Sequence, residues 1–147
     1  MALTFLSPIH KAGRQIGEFL APFLARMNLS NPEGHLVSYL RTYGPCAITD
    51  LHRVFGFRRS TLTSMLDRLE GKRLLLRNIH PEDRRSILLS LTKKGLKAGD
   101  KIQIHLEELE DRIRGKIRKT DLEGFREVMA AIAEVTGEEN GERKVLS

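Results

Sequence analysis

The chain has one cysteine, Cys46, so no disulfide can form within it, which fits a reducing compartment. Aromatic residues make up 5% of the 147 positions and tryptophan is absent, so a core drawn from the 40% apolar residues must be built from Leu, Ile and Val. That is enough for one core of ordinary size. No apolar run approaches the roughly 18 residues of a membrane span. Met1 to Pro8 lacks the basic start and long apolar centre of a secretion signal, so a cytoplasmic protein is expected. Signatures of catalysis are missing as well: no His-Glu-x-x-His, no Cys-x-x-Cys, no phosphate-cradling glycine loop and no Gly-x-Ser-x-Gly. Neither an enzyme nor a cofactor is expected. His35 and His105, the latter beside Glu107 and Glu108, are the candidates for a zinc site. His105 has Leu109, not a second His, one turn on, and no metal is expected.

What is present is concentrated between Phe55 and Leu91. Ile48, Leu51, Val54 and Phe55 recur at helical spacing and stop at Gly56, a residue suited to leaving a helix in a left-handed conformation. After Phe57, Leu62, Met65, Leu66 and Leu69 fall on one face of a second helix that starts near Arg58. Its opposite face carries Arg59, Ser60, Thr63, Ser64, Asp67 and Arg68, short donors and acceptors framed by guanidinium groups. Such a face suits base edges and phosphates, though it is also what an ordinary solvated helix presents.

Leu74–Ile79 and Ser86–Leu91 are short apolar runs separated by His80-Pro81-Glu82-Asp83-Arg84-Arg85. Periodicity alone allows the first run to be a buried helix tail, but Gly71 and the proline-containing turn favour a hairpin with a basic tip. An arginine at such a tip complements the negative potential of a narrow minor groove. Asp83 stands close enough in sequence to hold Arg85 extended through a charge-assisted hydrogen bond.

Gly56 to Leu69, the run Asp83-Arg84-Arg85-Ser86 and the following Leu91-Thr92-Lys93-Lys94-Gly95 resemble the winged helix-turn-helix of the MarR family of transcription regulators. The likeness spans about Leu36 to Gly95. It implies that the helix from Arg58 reads the major groove and that Asp83 and Arg85 serve the minor groove. The expected DNA-binding residues are Arg58, Arg59, Ser60, Thr61, Thr63, Ser64, Arg68, Arg77, Asp83, Arg84 and Arg85. Three positions depart from the family pattern. His52 replaces a small residue where two helices approach, Arg58 replaces a capping Ser or Thr, and Arg73 replaces a glycine before the first wing strand, leaving the chain reversal to Gly71.

Charge supports the same region. Between Arg53 and Arg85 there are nine Lys or Arg and four acidic residues, a net of +5 out of the chain's +6. Clustering of this kind is the footprint of a phosphate-binding face. An anionic membrane would also attract it, but no basic amphipathic helix with an aromatic face accompanies it, and no membrane partner is expected.

The ends of the chain look built for pairing with a second copy. Ile16, Phe19, Leu20, Phe23, Leu24 and Met27 form a stripe on a first helix that Pro22 should kink. Ile102, Leu106, Leu109, Ile113 and Ile117 follow one another along a long helix. A last helix opens at Thr120 with Glu123 as a capping box and buries Leu122, Phe125, Met129 and Ile132. Another box, Ser30 with Glu33, opens a helix to Tyr43. The expected organisation is a mainly α fold with a small β-hairpin (α+β): one domain over 1–136, with a winged core at 30–95, dimerisation helices at 8–28 and 96–136, and a fraying tail at 137–147.

Cys46, read as standing at a helix start beside Pro45, has a redox role as its sharper reading and a small packing role as its plainer one. In similar regulators a small aromatic or phenolic effector binds between the dimer helices and the winged core, which points to Phe19, Phe23, Tyr39 and Tyr43. The resulting expectation is a homodimeric, sequence-specific regulator of double-stranded DNA, a ligand-released repressor on a palindromic operator. The rival is an architectural DNA-coating protein of low sequence preference with no effector.

Overall fold

The structure is a computed structural model and describes residues 2–137. Its elements run α1 (Leu6–Arg26), α2 (Asn31–Tyr43), β1 (Cys46–Ala47), α3 (Ile48–Phe55), α4 (Arg59–Gly71), β2 (Leu75–Ile79), β3 (Ile87–Leu91), α5 (Lys93–Arg114) and α6 (Lys119–Val135). The expected mainly α fold with a β-hairpin is the one observed. The tail expected to fray lies, from residue 138 on, outside the described residues.

Local chemistry explains the helix boundaries. Ser30 caps α2 by accepting the Glu33 N–H at 3.3 Å. Asp50 in the first turn of α3 accepts the Ala47 N–H at 3.2 Å, and α3 ends at Gly56 with φ +66°. The core is leucine-rich, as the composition requires. Leu36, Leu51, Leu62, Leu66, Leu69, Leu75 and Leu89 are fully buried, joined by Leu20 and Leu24 of α1 and Ile102 of α5. Each such leucine is worth about 2–5 kcal/mol against alanine.

The sheet has three strands in the order β1-β3-β2, all antiparallel. The two-residue strand β1 is too short to show in a hydrophobic pattern. It corrects the reading of Cys46, which is not at a helix start: it is buried and pairs with Leu89 in the sheet.

Arg73 itself, at φ +60°, makes the turn into β2, and Gly71 remains in α4. The strained turn is tied down by Thr92, whose hydroxyl donates to the Arg73 carbonyl at 2.6 Å and accepts the Gly95 N–H at 3.0 Å as the cap of α5. A Cβ on Gly95 would lie 2.1 Å from the Leu74 carbonyl oxygen, so only glycine lets α5 start this close to the wing.

The terminal helices differ in detail from expectation. α1 runs through Pro22 as one 21-residue helix. α5 stops at Arg114, leaving Ile117 in the connection to α6. α6 is capped two residues early, with Asp121 rather than Glu123 accepting the N-terminal N–H, that of Arg118, at 2.8 Å. No residue of α6 is buried, and Phe125 is 58% exposed. Among the described residues no helix is long and apolar enough to cross a membrane.

Candidate nucleic-acid interface

α4 sets its four expected apolar residues, Leu62, Met65, Leu66 and Leu69, into the core. This fixes the opposite face outward, where Arg59, Ser60, Thr63, Ser64 and Asp67 line a shallow open groove. Thr61 is exposed beside them. Arg58 precedes the helix in extended conformation with no side-chain cap, so the first-turn N–H groups point outward without an acidic neighbour. The positive end of the helix dipole and two guanidinium groups therefore coincide. His52 reaches across the preceding turn, its Nδ1 3.4 Å from the Phe57 carbonyl oxygen.

The cations of the basic region divide into two groups. Arg53 pairs with Asp50 at 2.6 Å. Arg68 donates to Glu33 at 3.4 Å and to Ser64 at 3.2 Å. Lys72 donates to Glu33 and to the Asn28 carbonyl, both at 2.6 Å. Arg77 crosses from β2 to α4, pairing with Asp67 and, at 2.7 Å, with Glu70. In contrast, Arg58, Arg59, Arg73, Arg84 and Arg85 have no carboxylate within ion-pairing distance among the described residues. The unpaired charge thus sits at the start of α4, at the wing tip and at the wing base.

Glu33 is the hub of the first group. Its side chain is only 5% exposed, and burial alone would raise its pKa. The hydrogen bonds from Lys72 and Ser30, with the charges of Lys72 and Arg68, outweigh burial and hold it below its ordinary value. The sequence marked Glu33 as a capping residue; its bond to Lys72, 39 positions on, has no local signal.

The wing tip is a closed turn. His80 N–H donates to the Ser86 carbonyl at 2.9 Å, and Ser86 N–H to the Asp83 carbonyl at 2.9 Å. Asp83 Oδ1 accepts the backbone N–H of Arg85 at 3.0 Å. Asp83 therefore shapes the backbone that carries Arg85, where a bond to its guanidinium was expected. Arg84 and Arg85 are exposed.

A separate cavity of about 600 Å³ opens between α1, α2 and α5. Phe23 and Tyr43 line it, together with His35 and His105. His105 stacks on Phe23 at 4.1 Å and on Phe19 at 5.8 Å between ring centroids; Phe19 lies outside the lining and is 44% exposed. Tyr39 does not line this cavity. It is 3% exposed, packed against Tyr43 and Phe55, and its burial raises its pKa. Surrounding protein lowers the pKa of His35 by desolvation. No group of His, Cys, Asp and Glu among the described residues is arranged to hold a metal ion.

A helix-turn-helix joined to an arginine-tipped hairpin defines the winged-helix class of DNA-binding proteins. The model of the MarR family matches residues 29–87. The uncharacterised HTH-type transcriptional regulator YfiV of Bacillus subtilis (strain 168) is 31% identical over 72 residues, which are 49% of this chain and 45% of that protein. This chain therefore spans about half the length of that relative. The fold is similar to MepR of S. aureus in a complex with DNA, with a TM-score of 0.82 at 18% identity, covering 91% of this chain and 99% of the other. It is also similar to the transcription regulator MarR of Oenococcus oeni PSU-1, with a TM-score of 0.73 at 23% identity over 87% and 97% of the two chains. Residues 29–87 thus match the MarR family, within a winged-helix fold shared with MarR proteins.

Proposed function

We propose that this protein is a sequence-specific repressor that binds a palindromic DNA site as a homodimer and is released by a small aromatic or phenolic ligand. The observation that carries the reading is the division of the cations between Arg53 and Arg85: Arg53, Arg68, Lys72 and Arg77 pair with carboxylates, while Arg58, Arg59, Arg84 and Arg85, with Arg73 at the wing base, do not. In this reading Arg59, Ser60, Thr63 and Ser64 meet base edges, Arg58 and Thr61 meet the backbone, and Arg84 and Arg85 approach the minor groove on the turn shaped by Asp83. Arg68 and Arg77 hold these groups in place. MepR, the structural neighbour above, is itself seen in a complex with DNA.

Pairing is supported by the apolar surface that one chain leaves uncovered. Phe5, Leu6, Ile16, Ile113, Ile117 and Phe125 are each more than 40% exposed, and all lie in or beside α1, α5 and α6. The single domain proposed for residues 1–136 thus has its winged core at 30–95 and its pairing helices at either end. The cavity between α1, α2 and α5 has the size and aromatic lining of a small-molecule site, and α2 carries both cavity residues and Glu33, the partner of α4. Such a regulator works in the cytoplasm, where its DNA is.

Selection of binding duplexes from a random pool, followed by footprinting, tests this reading. The expected product is a two-fold symmetric sequence with half-sites about one helical turn apart. A pool that yields no consensus would contradict it.

A further inference from the structure

The face of the wing that meets the core ends in an apolar pair the fold does not use. Leu75 pairs with Leu91, Arg77 with Leu89 and Ile79 with Ile87. Side chains alternate across a strand, so these three pairs share one face. Leu75 and Leu89 close the core at 1% and 0% exposure, and Arg77 is engaged by the carboxylates of α4. One pair further out, Ile79 is 69% and Ile87 38% exposed. The apolar row continues after the body beneath it has ended, and only the tip, with Arg84 and Arg85, lies beyond.

Side chains directly opposite each other on paired strands stand about 5 Å apart, so Ile79 and Ile87 form one patch. Strand formation does not demand isoleucine here, since threonine offers the same β-branched stiffness with less exposed hydrocarbon. Single exposed apolar residues are ordinary on any surface. This pair adjoins two guanidinium groups without carboxylate partners, which selects for a partner that combines an anionic rim with an apolar wall. The DNA minor groove is such a surface: phosphates edge it and deoxyribose faces line it, and proteins that enter it place apolar side chains beside basic ones.

We propose that Ile79 and Ile87 pack against the deoxyribose walls of the minor groove while Arg84 and Arg85 engage its floor and phosphates. The contact adds affinity without reading base identity. It rests on the assignment of the hairpin as a DNA-contacting wing, and the test separates the two.

Ile79→Thr and Ile87→Thr keep the β-branch at exposed positions, and thermal melting confirms that each variant folds like the parent. Anisotropy is then measured across a salt series on an AT-rich duplex roughly three helical turns long. Each threonine variant is expected to bind about fivefold to tenfold more weakly. The slope of log affinity against log salt should stay unchanged, because no phosphate contact is lost; Arg85→Ala, in contrast, lowers that slope by about 1. Parent-like binding by both threonine variants, with the slope still reduced in Arg85→Ala, overturns the apolar contact and leaves the wing intact. A patch that serves another protein gives that same result. If Arg85→Ala is also without effect, the wing assignment fails and the proposal with it.

Discussion

Glu33 joins α2 to α4 through one buried carboxylate: it takes hydrogen bonds from Ser30 at the start of α2 and from Arg68 and Lys72 on α4 and at its C-cap. Because its folded pKa lies below its ordinary value of 4.5, Glu33 stabilises the fold above that value. The stabilisation is lost as pH falls below 4.5 and through the lowered folded value. Thermal melts from neutral to acidic pH should show this loss in the parent and a flatter profile in Glu33→Gln. At neutral pH, Glu33→Ala should cost about 2–3 kcal/mol, less than removing one member of a fully buried pair because Lys72 can rehydrate. An unchanged melting temperature at neutral pH would mean that the ion pairs contribute nothing.

Arg77 was read from sequence as a DNA contact, and its structural partners suggest another role. Two acidic residues on α4, Asp67 and Glu70, are held by one guanidinium from β2. Arg77→Ala would leave both carboxylates repelling phosphate and free the wing from α4, so DNA affinity should fall about tenfold. If Arg77 acts through Asp67, adding Asp67→Ala should restore part of the loss in a double-mutant cycle. If Arg77 binds phosphate directly, the second substitution should restore nothing.

Among the elements, those with a full apolar period were legible in the sequence. Leu62, Met65, Leu66 and Leu69 mark α4, Ser30 marks the start of α2 and Gly56 the end of α3, because each signal is local. β1 was not legible, since two residues carry no period and their pairing with Leu88 and Leu89 is a tertiary fact. The start of α6 is displaced because Thr120 and Glu123 imitate a capping box, and Asp121 fills that role two residues earlier. Thr92 and Gly95 entered as a motif, and only the packing of α5 against the wing gives them a reason. Gly95→Ala should therefore destabilise by about 3 kcal/mol or more, read as a lowered denaturant midpoint. A variant as stable as the parent would show that α5 can shift away from Leu74 without cost.

At the scale of the whole molecule, the site was legible as a charged region and as two sets of side chains, but not as a division of labour. Nine basic residues between Arg53 and Arg85 look alike in sequence. Only the fold separates Arg53, Arg68, Lys72 and Arg77, which neutralise carboxylates, from Arg58, Arg59, Arg73, Arg84 and Arg85, which do not. The cavity between α1, α2 and α5 was partly legible too. Phe23 and Tyr43 line it, while Tyr39 on the inner side of α2 turned into the core. The central claim is that two such heads, held by one dimer, read a DNA sequence. Fluorescence anisotropy at physiological salt tests it most directly, comparing duplexes from the region upstream of the protein's own gene with a scrambled control. The account predicts an affinity ratio of roughly a thousand or more with one dimer per site. Equal affinity for both duplexes would contradict it and favour a protein that coats DNA without reading it.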